Sequence, residues 1–219
     1  MINVGASIET TKTTLALAEA YDYIYAAVGV HPSDIDGLNE ETYSWLKEQT
    51  AHPKTVAVGE IGLDYYWDKE PEVQAAQREW FVRQLALAGE TDLPVIIHSR
   101  DAAEDTMRIL KETGRFREHP GVIHCYSYSP EQAKEYYDKA VEELGSAPSE
   151  VTLLVADDSV SKSVATFIQS ELVTTLGLNV VIDTKTVQGR GELMDANNYQ
   201  FAVTAWGADY DDAMTCLLY

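Results

Sequence analysis

Val56-Ala57-Val58-Gly59-Glu60 and Val95-Ile96-Ile97-His98 decide the class of this protein. Each is a short apolar run that ends on a polar residue, with no alternation inside it. A strand with one wet face alternates in polarity, whereas a strand covered on both faces does not. These runs therefore predict strands inside a parallel sheet with helices on its faces. Outward from them, strand-like runs recur at 2–6, 24–30, 55–61, 94–98, 121–125, 151–155, 180–183 and 201–206. Segments of helical period lie between, at 10–20, 40–49, 73–88, 101–113, 130–144, 160–176 and 191–196. Such alternation predicts an α/β protein of about eight mainly parallel strands with covering helices. Local signals agree. Ser129-Pro130-Glu131 puts a capping hydroxyl, a first-turn proline and an acid at a helix start. Asp92-Leu93-Pro94 stops a helix before its strand, and Gly177 closes another. The stretch Leu144-Gly145-Ser146-Ala147-Pro148-Ser149 reads as a linker, and Gln188-Gly189-Arg190-Gly191 as a loop without phosphate-loop spacing.

In parallel sheets, functional side chains collect at the carboxyl ends of the strands. His31 follows the run ending at Val30, Glu60 follows Gly59, His98 follows Ile97, and His124 follows Ile123. A lone histidine is usually a core or loop residue. Polar residues at four equivalent strand ends form a pattern, and imidazole with carboxylate suits zinc or another first-row divalent ion. Asp64 and Arg100 lie just beyond Glu60 and His98, where they would orient ligands or contact an anionic substrate.

The segments Val28-Gly29-Val30-His31-Pro32, Val58-Gly59-Glu60-Ile61-Gly62-Leu63-Asp64-Tyr65, Ile96-Ile97-His98-Ser99-Arg100 and Ile123-His124-Cys125 resemble the TatD family over roughly residues 1–135. That resemblance implies a metal-dependent hydrolase, of a kind reported as DNases, on a β/α barrel. It implies Glu60, His98 and His124 as metal ligands and His31 near a substrate phosphate. The family's opening His-X-His and its late Asp have no counterpart here, and the turn after Cys125 reads Tyr126-Ser127-Tyr128-Ser129. The expectation is one weakly bound divalent ion (zinc, nickel, manganese or magnesium) and no family-type catalysis.

Residues 136–219 carry a second resemblance. The order of Val151-Thr152-Leu153-Leu154-Val155, a long helix, Val180-Val181-Ile182 and Ala205-Trp206-Gly207-Ala208-Asp209-Tyr210 is similar to one lobe of the oligopeptide-binding proteins of ABC importers. It implies contacts from Asp209 and Trp206 to a peptide. In that lobe the first strand normally lies between the other two. The chain thus reads as an engineered or recombined chimera: a partial β/α barrel at 1–135 fused to a binding-protein-like lobe at 136–219. The alternative is a closed eight-stranded barrel, since five strands from the front and three from the back make eight. In function, an active phosphodiester hydrolase and a weak peptide-binding module stand beside a chimera without native activity.

Charge sets the partners. With 36 acidic and 16 basic residues in 219, the formal charge is −20. Such a surface repels phosphate, so nucleic-acid binding through a broad basic face is disfavoured. Open sheet edges would allow self-association. Two cysteines, Cys125 and Cys216, give no disulfide framework and read as buried free thiols. The first residues lack the charge and apolar core of a signal peptide, and no run reaches membrane-spanning length, so a soluble cytoplasmic protein is expected.

Overall fold

The structure, a computed structural model, describes residues 1–113, 121–196 and 198–204. The chain divides into two units, 1–127 and 128–219.

The first unit holds strands β1 (Ile2–Val4), β2 (Tyr25–Val28), β3 (Thr55–Asp64), β4 (Val95–Arg100) and β5 (Val122–Ile123). Helices α1 (Ile8–Ala20), α2 (Glu40–Thr50), α3 (Pro71–Thr91) and α4 (Ala103–Thr113) connect them, with a 3-10 helix at Pro32–Gly37. All five strands are parallel and lie in sequential order β1-β2-β3-β4-β5. Consecutive parallel neighbours are the pattern of a β/α barrel wall.

Helix starts follow from local chemistry. Ser7 with Thr10, and Asn39 with Thr42, form reciprocal caps that satisfy the first free N–H groups of α1 and α2. Asp92 ends α3 in the left-handed conformation two residues before Pro94. The principal core joins Val58, Ile61 and Leu63 of β3 and Val95 and Ile97 of β4 to Phe81 and Leu85 of α3 and Ile109 of α4. On β4 the odd residues Val95, Ile97 and Ser99 are buried, while Ile96, His98 and Arg100 are half-buried. Period two thus places His98 and Arg100 on one face, opposite the helices.

The second unit holds α5 (Pro130–Leu144), β6 (Val151–Ala156), α6 (Ser159–Leu176), β7 (Val180–Lys185), α7 (Val187–Asp195) and β8 (Phe201–Ala202). Its three parallel strands form a separate sheet in the order β7-β6-β8, with the first strand central. Val151, Leu153, Val155, Ala165 and Val180 make its core, with Tyr137 of α5 packed against it. Ser129 caps α5, and Gly145 and Gly177 end α5 and α6 at φ 78° and 72°, a conformation that suits glycine.

Two expectations are corrected, and the alternative of one closed barrel is not met. The described strands lie in a five-stranded and a three-stranded sheet. Both neighbours of β6 are already taken by β7 and β8, so it has no edge left to join the other sheet. Gln188-Gly189-Arg190-Gly191 is not a loop but part of α7, whose first turn is held by Thr186 Oγ1 accepting from the Gly189 amide. Cys125 is exposed, not buried. β5 stops at Ile123, and Cys125 turns the chain at φ 47°. Cys216 lies outside the described residues. Among the described residues, no helix is long and apolar enough to cross a membrane.

Candidate metal centre

Glu60 sits where β3 departs from regular pairing with β4. Val58 pairs with Val95 and Ile61 with Ile97, so β3 carries one extra residue between them. A bulge of this kind re-aims a side chain. Close backbone approach requires glycine on either side. A Cβ on Gly59 would lie 2.6 Å from Ile96 Cβ, and one on Gly62, at φ 141°, 1.9 Å from the His98 carbonyl oxygen.

The side chains expected to act together do meet. His98 Nδ1 lies 3.1 Å from Glu60 Oε1, and His98 Nε2 lies 3.0 Å from Asp64 Oδ2. His124 Nδ1 reaches the same Glu60 Oε1 at 3.2 Å. The rings of His31 and His98 meet edge to face with centroids 4.2 Å apart. Among the described residues, the three whose ligand atoms all lie within 4.8 Å of one another are His31, Asp64 and His98. Glu60 joins this group through His98, and His124 joins through Glu60. Asp64, read from sequence as an orienting residue, is therefore as close to the histidines as a ligand would be. His124 is the exposed member, and Cys125 Sγ lies 3.5 Å from its Nε2.

Charge in the cluster is set by these contacts. The hydrogen bond from His98 holds the Glu60 carboxyl down at about 2, against burial and with help from His124. Burial opposes charge on His98, but the Glu60 and Asp64 carboxylates outweigh it and raise the imidazole above its ordinary value. The two carboxylates thus favour the charged form of His98, in which both ring N–H groups would donate to them. Burial, and then His98, lower His31. The Ser33 amide donates to His31 Nδ1 at 3.2 Å, so the neutral His31 ring carries its proton on Nε2. In that form His31 is a hydrogen-bond donor, suited to an anionic oxygen.

The residues fit a divalent ion. Imidazole nitrogens and carboxylate oxygens match zinc and its first-row neighbours. With bonds of about 2.1 Å, two ligands of one ion lie at most about 4 Å apart; Glu60 Oε1 lies 3.1 and 3.2 Å from ring nitrogens of His98 and His124, Asp64 Oδ2 lies 3.0 Å from His98, and His31, Asp64 and His98 fall within 4.8 Å.

Two glutamines that sequence reading missed position the site. Both are fully buried on α3, seven residues apart and so on one face. Gln84 pairs with the backbone of Val30, next to His31, and Gln77 with the backbone of Asp64. A polar residue within the helical pattern facing the sheet was the available signal. Arg100 lies with its guanidinium 3.9 Å over the Tyr66 ring. Trp206 and Asp209 lie outside the described residues.

A parallel β/α sheet with a histidine and carboxylate cluster across its adjacent strands is an arrangement able to hold a metal ion. The model of the family described as TatD related DNase matches residues 1–173, and the chain belongs to this family. An uncharacterized metal-dependent hydrolase, YabD of Bacillus subtilis, is 47% identical over 135 residues, covering 62% of this chain and 52% of that protein. The 3'-5' ssDNA/RNA exonuclease TatD of Cronobacter sakazakii is 33% identical over 136 residues, covering 62% and 50%. The chain thus spans about half the length of these curated relatives. The crystal structure of YjjV, a TatD homolog of Escherichia coli, superposes with a TM-score of 0.59 at 30% identity, over 84% of this chain and 66% of that one. A peptide-binding protein of a peptide ABC transporter aligns over 41% of this chain and 40% of that one at 28% identity, with a TM-score of only 0.37, from which nothing follows here.

Proposed function

We propose that this chain is a metal-dependent phosphodiester hydrolase that holds one divalent ion through Glu60, His98 and His124, with Asp64 completing the set. The observation that carries this is His98 of β4, bracketed by Glu60 and Asp64 of the adjacent parallel strand β3. Once the ion binds, it supplies Lewis-acid charge at a phosphoryl oxygen. His31 donates from Nε2 to a phosphate oxygen, and Arg100 holds a second anionic group. The name of the Cronobacter relative supports single-stranded DNA or RNA as substrate. This reading takes the hydrolase alternative over a chain without activity, on the support of the family match over residues 1–173 and of the metal-dependent hydrolases among the relatives.

Calorimetric titration with zinc or manganese tests the site. Parent protein should give a saturable signal that His98→Ala abolishes and His124→Ala weakens. Metal-dependent cleavage of a labelled single strand should disappear in Glu60→Gln. Heats that are the same for parent and His98→Ala would refute the assignment.

A second reading concerns origin. The central position of β6 in the order β7-β6-β8 supports the likeness of residues 136–219 to a peptide-binding lobe. On that reading the chain is a recombinant of two parents, and Trp206 and Asp209 contact a peptide. Calorimetry with a short peptide against Asp209→Ala tests it, and equal heats would end it.

A further inference from the structure

Beside the metal centre lies a group of side chains for which the hydrolase reading has only a partial use. Tyr66 and Trp67 follow β3, and their rings meet edge to face with centroids 4.7 Å apart. Trp67 is 66% exposed and Tyr66 42%. The Arg100 guanidinium lies 3.9 Å from the Tyr66 ring centre and 5.5 Å from that of Trp67. Arg78, Arg83 and Arg108 each pair with a carboxylate. Among the described residues, Arg100 has no carboxylate within ion-pair distance. In a chain of formal charge −20, an arginine left to aromatic rings is out of pattern.

One carboxylate ties this group to the metal centre. Asp64 Oδ1 accepts from the amides of Tyr66 and Trp67 at 3.0 and 3.1 Å, while its Oδ2 faces His98 Nε2 at 3.0 Å. Arg100 pairs in register with Asp64 across the sheet and shares a strand face with His98. The aromatic loop, the guanidinium and the candidate ligands are therefore fixed to each other through two adjacent strands.

We infer that Tyr66, Trp67 and Arg100 form a docking platform for single-stranded nucleic acid, with an unpaired base stacked on Trp67 and the adjacent phosphate on Arg100. The guanidinium rests over the Tyr66 ring. This rests on the hydrolase reading and names the residues that select its substrate. Every base offers a π-face, but in a duplex its neighbours cover that face, so only an unstacked base reaches a side-chain ring. A duplex is held chiefly through its phosphates by spread basic charge. Here the positive charge is one guanidinium beside one cluster, which suits a single strand threaded past the ion.

The test is fluorescence polarisation of the full chain with a labelled oligothymidylate and with a duplex of equal length. EDTA is present, so that neither cleavage nor a bound ion contributes. Parent protein should bind the single strand more tightly than the duplex. Trp67→Ala should weaken single-strand binding about tenfold, within what one base–aromatic stack contributes, and Trp67→Phe should retain most of it. Arg100→Gln should weaken binding and reduce the salt slope by about 0.7, the loss of one phosphate contact on a single strand. Equal binding by parent and Trp67→Ala, no preference for the single strand, or no binding by the parent would each overturn the platform. Metal binding through His98 with no effect at Trp67 would remove the platform and leave the hydrolase reading standing. Trp67-dependent binding without any metal signal would do the reverse.

Discussion

Val30 and Gln84 are joined by a reciprocal pair of hydrogen bonds. The Val30 amide donates to Gln84 Oε1 at 2.9 Å, and Gln84 Nε2 donates to the Val30 carbonyl at 3.0 Å. The side chain thus pairs with the backbone just beyond β2 as a neighbouring strand would, and both residues are buried. One helical position thereby fixes the backbone that presents His31. Gln77 does the same for Asp64.

Gln84→Ala should therefore be costly in two ways. It leaves a buried amide and a buried carbonyl unpaired, at roughly 1–3 kcal/mol for each. Urea denaturation should show that loss with little change in slope. His31 should also be less well held, so single-strand affinity measured in parallel should fall. Unchanged stability in Gln84→Ala would show that water replaces the side chain at no cost.

Metal binding should release a proton. In the metal-free protein the Glu60 and Asp64 carboxylates favour a proton on His98, and an ion must displace it. Affinity should fall as pH drops through the His98 value. Calorimetry in two buffers of different ionisation enthalpy should report proton release on metal binding that grows as pH is lowered. The metal-free protein carries the matching stability signature. The Glu60 contribution is present above the ordinary carboxyl value of 4.5 and is lost as pH falls towards about 2. The His98 contribution is present below 6.5 and is lost as pH rises through its raised value. Metal-free stability should therefore peak between these limits, and His98→Ala should flatten the profile.

Tyr65 governs the alkaline side. Burial, and then the Asp105 carboxylate that accepts its hydroxyl at 2.7 Å, push the phenol up to about 12, with Arg78 partly opposing. Its folded value lies above the ordinary one of 10, so its contribution is complete below pH 10 and is lost as pH rises towards 12. Denaturation midpoints at pH 9 and pH 11.5 should differ more in parent than in Tyr65→Phe. Equal differences would assign alkaline loss to other groups.

The edge strand β1 leaves Ile2 and Val4 exposed, at 50% and 37%. An uncovered apolar edge is a template for pairing with another chain. We propose self-association through it. Sedimentation velocity should show concentration-dependent association that Ile2→Lys suppresses, and identical profiles for the two would discard that edge as the interface.

The sequence by itself determined the class, the order of the elements and most of the site. Val56-Ala57-Val58 and Val95-Ile96-Ile97 are apolar without alternation, and their residues are buried or half-buried on either face of β3 and β4; that pattern needs no tertiary knowledge to read. His31, Glu60, His98 and His124 could be listed from their places at strand ends, because parallel strands all present their carboxyl ends to the same side. Helix ends at Ser129, Gly145 and Gly177 follow from capping chemistry that acts within a few residues. Other features depend on partners distant in the chain. The bulge that aims Glu60 is set by pairing with β4, and Asp64 enters the cluster only because His98 lies beside it in register. Gln77 and Gln84 read as ordinary helical polar residues until the sheet they serve is packed beneath them. Five and three strands sum to a barrel's eight, yet the described strands form two sheets, because β6 spends both of its edges on β7 and β8. Pairing is a choice among distant edges, and local sequence carries no record of which edge wins.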